Sequence, residues 1–307
     1  MNTNTNHYIN LLAQAKKLYR HNRQGSYKTK ERYFEAYKRF LRYLGDVWHI
    51  QKLQNISGKH LSGYVEYMKS KNYSASTIKT DLSAIRFWHD QIPNAKYRLP
   101  DNSEFNLERR KFGGVDRTWT DSEFSMMLLE ALNINREDWA SCMSIARYAG
   151  LRLHEVMRID TAIARAAIKN NYITIKGKGG KIRDVPINEN IRVIFEKHLK
   201  LTPAGHKLFV PKGKKTHIAK TELQNFINTH RKKVITPDSG KTTPITFHGL
   251  RHSYAAEQYT KLRTASYSEY EARLQVSKWL GHERDDVTRI YLAGIGLNTL
   301  SPSNTLM

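Results

Sequence analysis

The sequence predicts a mainly α-helical α+β fold containing one small β-hairpin and divided into two domains. Three observations predict it. The chain has 307 residues, long enough for two hydrophobic cores. Apolar residues recur at three-and-four spacing over most of the length, whereas period-two alternation is confined to 172–175 and 182–186, either side of Gly177-Lys178-Gly179-Gly180. Periodicity vanishes between 93 and 118, where Pro100, Gly113, Gly114 and the basic run Arg109-Arg110-Lys111 mark a linker. The expected organisation is an N-terminal extension over 1–25, a helical domain over 26–98, a linker over 99–117, a second domain over 118–291 and a tail over 292–307.

Residues 8–20 are amphipathic, with Leu11, Leu12 and Ala15 opposite Lys16, Lys17 and Arg20; both an arm on a polyanion and a first helix fit this pattern. From Thr29, a plausible cap, Tyr33, Tyr37, Phe40, Leu41 and Leu44 form a helical stripe for which Gly45 reads as the stop. Ser57 precedes a second stripe of Leu61, Tyr64, Val65 and Met68. A third helix spans about 74–89, with Ile78, Leu82 and Ile85 inward and Lys79, Ser83 and Arg86 on a neighbouring face, three residue types suited to phosphate contacts. Thr120-Asp121-Ser122-Glu123 spells a capping box ahead of Phe124, Met127 and Leu128. A helix ends near Gly150 and another begins, which leaves Arg152 at a junction facing a cleft. Residues 161–168 read as helix, then come the hairpin and helices around 191–199 and 221–234.

Composition narrows the class of partner. Net charge is +23, from 51 Lys and Arg against 28 Asp and Glu. Residues 1–110 hold 20 basic and 9 acidic side chains and the remainder 31 and 19, so both domains are basic, as expected where both touch one nucleic acid. An anionic membrane surface is the weaker reading, because no basic helix with an aromatic apolar face stands out. The single cysteine, Cys142, excludes an intrachain disulfide and a multi-cysteine zinc site, and its neighbours Trp139, Met143 and Ile145 make it a core thiol. Neither a signal pattern nor a stretch long enough to span a bilayer is present, which points to an intracellular protein.

The chemistry concentrates in the last quarter. His248 and Arg251 lie three apart and share a helix face, Gly281 ends an apolar helical run and places His282 at an exposed turn, and Tyr291 follows nine residues later. A phenol attacking phosphorus needs cationic donors on the non-bridging oxygens and an acid for the departing sugar oxygen, so this set suits phosphoryl transfer through a tyrosyl intermediate. The spacing of His248, His252 and His282 also invites a zinc reading, but no acidic ligand completes the set and Arg251 would repel the ion; no metal and no cofactor are expected.

The ordered set His248-x-x-Arg251-His252, Leu280-Gly281-His282 and Tyr291 resembles the C-terminal signature of the tyrosine recombinases, the phage-integrase family. Gly150-Leu151-Arg152 is similar to the motif of that family's first catalytic arginine, with Glu155 at the position of an acidic partner that orients the site, and 74–86 is diffusely similar to its N-terminal core-binding domain. The resemblance implies a helical core-binding domain ahead of a catalytic domain, with Tyr291 as nucleophile. It implies Arg152 and Arg251 on the non-bridging oxygens, His248 assisting proton transfer, His282 stabilising the phosphorane and Lys178 of Gly-Lys-Gly protonating the leaving 5′ oxygen, Lys181 being the runner-up. Lys79, Ser83, Arg86, Lys181 and Arg183 are the expected DNA contacts. The implied activity is cutting and rejoining of double-stranded DNA at specific sites through a 3′-phosphotyrosyl bond, by a homotetramer on DNA, for a phage or mobile element in the prokaryotic cytoplasm. Alternatives are a type IB topoisomerase-like enzyme and a catalytically silent DNA-binding relative. The segment 161–168 and the 30 residues between Arg251 and His282 exceed the family's usual lengths.

Overall fold

The computed structural model describes every residue except 1, 2, 26, 109–114, 178, 179, 181, 236–243, 283, 284 and 296–307. The chain divides into two compact units, Met1–Lys111 and Phe112–Met307.

The first unit is helical: α1 (Thr3–His21), α2 (Tyr27–Tyr43), α3 (Gly58–Ser70) and α4 (Ala75–His89). The predicted stripes supply its core, with Tyr37, Phe40, Leu61, Tyr64, Leu82 and Trp88 all buried. Ser57 caps α3 in a reciprocal box with His60, and the Ser74 hydroxyl accepts from the Thr77 amide at 3.2 Å to start α4. Leu11 and Ala15 are fully buried in the same core, so the amphipathic segment at 8–20 is a core helix of this unit rather than an extension. Gly45 is not a stop. The chain runs on from α2 into a π-helical turn, Leu44–Trp48, and a Cβ on Gly45 would lie 2.8 Å from the Tyr8 amide nitrogen; glycine serves close approach of α1.

The linker expected over 99–117 is shorter than its composition suggests. Leu99 and Phe105 are buried in the first core, and Asp101 and Glu104 close a capping box around a 3₁₀ turn, Asn102–Phe105. Three of the five residues expected on DNA are engaged with the chain itself, Arg86 and Lys79 at this seam and Ser83 within α4. Arg86 donates to the Pro100 carbonyl at 2.9 Å and to Asn102 at 2.5 Å, Lys79 to the Glu108 carbonyl at 2.7 Å, and Ser83 to the Lys79 carbonyl at 2.9 Å. A loop of low hydropathy is held by its polar atoms, which sequence periodicity does not register.

The second unit contains α5 (Asp121–Asn133), α6 (Glu137–Ala149), the single turn α7 (Leu153–Val156), α8 (Thr161–Asn170), strands β1 (Tyr172–Lys176) and β2 (Ile182–Pro186), then α9 (Glu189–Leu201), α10 (Thr216–Val234), α11 (Phe247–Thr264), α12 (Glu269–Leu280) and α13 (Asp285–Tyr291). Helix α6 lies at its centre, with Cys142, Met143, Ile145 and Ala146 fully buried. Burial pushes the Cys142 thiol well above its ordinary range, in keeping with a core role. Thr120 and Glu123 form the predicted capping box of α5. The expected helix over 161–168 is α8, capped by Asp160, whose carboxylate accepts from the Ile163 amide at 2.8 Å. The hairpin is antiparallel, with Ile173 opposite Val185, both buried, and Ile175 opposite Arg183.

Candidate active site

The start of α11 is pinned before any chemistry is considered. The Trp119 indole donates to the Thr246 carbonyl at 2.9 Å, and the Trp119 amide donates to the buried Ser253 hydroxyl at 2.7 Å. Gly249 allows this approach, since a Cβ there would meet the Arg117 carbonyl at 2.4 Å. His248, Arg251 and His252 therefore leave a helix turn whose position is fixed from outside.

Arg251 is the deepest cation among the described residues, 1% exposed. It donates to the Gly150 carbonyl at 2.6 Å and to the Leu280 carbonyl, joining the C-terminal ends of α6 and α12, where carbonyls lack helical partners. Its Nη2 also lies 3.3 Å from Nε2 of His282. Since a guanidinium only donates, Nε2 of His282 is the acceptor and Nδ1 carries the proton toward the Thr288 hydroxyl, 3.3 Å away. The buried Nε of Arg251 has no hydrogen-bond partner among the described residues, an unmet donor suited to an anion.

Gly150 makes this arrangement possible. It caps α6 at φ 63°, and a Cβ would fall 2.3 Å from Cδ1 of Tyr254. Gly150→Ala combines a left-handed penalty with overpacking and is expected to cost about 3 kcal/mol, lowering the melting temperature by roughly 6–12 °C in a thermal melt.

Tyr291, at the end of α13, is 7% exposed. Its hydroxyl lies 3.1 Å from Nε2 of His248. Its ring stacks on His252, centroids 4.3 Å apart and planes 25° apart, with the His282 ring at 4.9 Å and the Arg251 guanidinium carbon 5.6 Å from its centroid. His252 was absent from the expected site. Its spacing of four from His248 was the available signal, since it puts both rings on one face of α11.

Arg152 begins α7, and its backbone amide and Nη1 donate to Glu155 at 2.8 and 3.0 Å. Arg183 also holds Glu155, through Nη1 at 3.1 Å and Nη2 at 2.7 Å, and donates from Nε to the Trp279 carbonyl at 3.0 Å. Its side chain is 9% exposed, so the expected DNA contact at Arg183 is instead an internal clasp, formed because a buried carboxylate needs cationic partners. Burial raises the Glu155 carboxyl, but the bonds from Arg183 and from the Arg152 amide, with the charges of both guanidiniums, outweigh it and lower the group to about 2. A cleft of ≈ 660 Å³ opens beside this group, lined by Arg152, Gly177, Arg183, Trp279 and His282. Lys178 and Lys181 lie outside the described residues. Among the described residues no cluster of three His, Cys, Asp or Glu side chains is arranged to hold a metal, and no helix is long and apolar enough to cross a membrane.

Burial, followed by the charges of Arg251 and its neighbours, keeps the imidazoles neutral. His282 falls to about 3, and His252, where the His248 and Arg117 charges follow burial, also to about 3; His248 falls in the same direction. Burial lowers Arg251 to about 10, which leaves it charged at neutral pH. The unfolded chain binds protons on these histidines below an ordinary pKa of ~6.5 while the folded chain does not. Stability is therefore complete above that value and is lost as pH falls toward 3. Melting temperature measured from pH 7.5 to 4.5 is expected to decline, and His252→Gln to flatten the decline.

Comparison with known proteins gives the family and the fold. The model of the phage integrase family matches residues 123–294, and that of the phage integrase N-terminal SAM-like domain matches 16–91. The chain is similar to a tyrosine recombinase XerD of Oceanobacillus iheyensis, 23% identical over 277 residues that cover 83% of this chain and 85% of the relative. Its fold is similar to that of a lambda integrase dimer bound to a COC′ core site, with TM-score 0.64 and 17% identity over 93% of this chain and 95% of that one. It is also similar to that of the Tn1549 transposon integrase in complex with transposon right end DNA, with TM-score 0.57 and 16% identity over 90% of this chain and 94% of that one. Because the catalytic family model alone spans more than half of the sequence, the chain belongs to the phage integrase family, the tyrosine recombinases.

Proposed function

We propose that this chain cuts and rejoins duplex DNA at specific sites through a 3′-phosphotyrosyl bond to Tyr291, in the service of a phage or mobile element. The observation that carries the reading is the 3.1 Å approach of the Tyr291 hydroxyl to Nε2 of His248 directly beside the buried Arg251 guanidinium. An imidazole held neutral accepts the phenolic proton as the oxygen attacks phosphorus. The bond from phosphorus to the 5′ oxygen then breaks, and the departing oxygen takes a proton, a role that Lys178 fits by its place in the hairpin turn. Arg152 and Arg251 meet the charge on the non-bridging oxygens; the unmet Nε donor of Arg251 suits it to this task. Once Arg251 turns to the phosphate, Nε2 of His282 is freed, and a change of tautomer that moves the ring proton from Nδ1 to Nε2 lets the imidazole donate to a non-bridging oxygen. The same steps in reverse, with a new 5′ hydroxyl, reseal the strand. Since the linkage retains the bond energy, exchange requires neither ATP nor a metal ion.

Each protomer carries one nucleophile, so exchange between two duplexes, four strands in all, calls for four protomers. A basic surface in both units supports a long DNA contact. Support for a mobile-element role comes from the lambda and Tn1549 integrases, whose fold this chain shares.

The test is to express the protein beside the DNA that flanks its gene and to sequence new junctions. Junctions recurring at one short sequence are expected. Relaxation of a supercoiled plasmid of arbitrary sequence without junctions would instead indicate a topoisomerase, and binding without any cleavage a silent relative.

A further inference from the structure

We propose that Arg183 is a positioning residue for strand cleavage: it occupies both oxygens of Glu155 so that this carboxylate does not close onto Arg152, and it ties strand β2 to the turn carrying His282. The inference rests on the cleavage reading above and goes beyond it, because Arg183 makes no contact with the nucleophile and is needed only to hold two groups that serve it.

Glu155 is 1% exposed and faces two guanidiniums, Arg152 and Arg183. One carboxylate neutralises one cation, so the group as a whole keeps a positive charge at the cleft. The division between the arginines is unequal. Arg183 takes the two-pronged share, one nitrogen on each oxygen, while Arg152 gives a single Nη1 bond from its side chain. Nε and Nη2 of Arg152 bond to no described residue and remain for an anion in the cleft. Without Arg183 the carboxylate is free to form a two-pronged pair with Arg152, the favoured geometry of such pairs, and the cleft loses the charge that a phosphate requires.

The third bond of Arg183 serves the other edge of the site. Nε reaches the Trp279 carbonyl, two residues before Gly281, and the side chain passes so close to Gly281 that a Cβ there would lie 2.9 Å from its Cδ. Gly281, at φ 66°, ends α12 and sets the direction of His282. Arg183 stands opposite Ile175 in the ladder, in the hairpin whose turn contains Lys178. One planar fork thus fixes Arg152, the His282 turn and the hairpin together. Lysine, with a single point charge, serves only part of this geometry.

The experiment uses a nicked duplex bearing the mapped recombination site, scored for single-turnover covalent adduct, affinity and melting temperature. Arg183→Ala is expected to slow adduct formation roughly 10²-fold, with affinity changed less than about threefold. Arg183→Lys is expected to recover part of the rate. Glu155→Gln placed in the Arg183→Ala background is expected to raise the rate about tenfold above Arg183→Ala alone, because it removes the charge that captures Arg152. A structural role predicts no such rescue. If Arg183→Ala does not fold, the same comparison is made with Arg183→Lys. Wild-type rate in Arg183→Ala, equal losses of affinity and rate, or a double variant no faster than the single one would overturn the proposal. A wild-type protein that binds and forms no adduct would instead refute the cleavage reading itself.

Discussion

Tyr291→Phe is expected to form no covalent adduct on a nicked duplex while retaining affinity and fold. The substitution deletes one oxygen, whose hydrogen-bond partner among the described residues is Nε2 of His248 at 3.1 Å. Everything that seats the ring remains: the stack on His252 at 4.3 Å, the His282 ring and the Arg251 guanidinium beneath. The lost hydrogen bond contributes about 1 kcal/mol, a few degrees of melting temperature at most. The loss of rate is complete, because no other route forms the linkage. The neighbouring phenols do not substitute. Tyr254 is 4% exposed beneath Gly150, where burial pushes its hydroxyl up to about 12, and burial raises Tyr259 in the same direction. Gel shift and denaturing electrophoresis on the same samples separate binding from linkage.

Arg251→Lys carries the second large effect, on rate and stability together. The guanidinium donates to the Gly150 carbonyl, the Leu280 carbonyl and Nε2 of His282 from a site that is 1% exposed. An ammonium on a shorter reach does not span helix ends α6 and α12 while also offering a donor to a phosphate. Loss of one preorganised donor costs ~10²–10³ in cleavage rate, and a buried carbonyl left unpaired costs about 1–3 kcal/mol in stability. Single-turnover cleavage and denaturant unfolding are expected to move together in this variant, whereas Tyr291→Phe abolishes cleavage and shifts unfolding by about 1 kcal/mol at most. A stable Arg251→Lys protein cleaving within threefold of the wild type would contradict the placement of this side chain.

Where sequence and structure agree, the deciding forces act within a few residues. The start of α3 after Ser57, the capping box at Thr120, the helix end at Gly281 and the alternation of the hairpin are local, as is the single face shared by His248 and Arg251. Where they differ, the partner lies far along the chain. Gly45 looks like a helix stop until Tyr8 is seen against it, and residues 99–108 look like linker until Arg86 and Lys79 are seen holding them. Arg183 is the plainest example. On a basic hairpin it reads as a DNA contact; its partner Glu155 stands 28 positions earlier and its other acceptor, Trp279, 96 positions later. His252 differs again: the sequence places it inside the His248-x-x-Arg251-His252 motif and on the face of His248 but gives it no role, whereas in the fold its neutral imidazole is a flat platform for the phenol.

The identity of the nucleophile is the claim on which the rest depends, and it is tested most directly by mapping the residue that carries DNA. The wild-type protein is trapped on a nicked duplex in EDTA, digested with protease and the nucleotide-bearing peptide sequenced by mass spectrometry. The account predicts a phosphodiester-linked nucleotide on Tyr291; linkage to Tyr254, to Tyr259 or to a serine, or tight binding with no linked peptide, would contradict it.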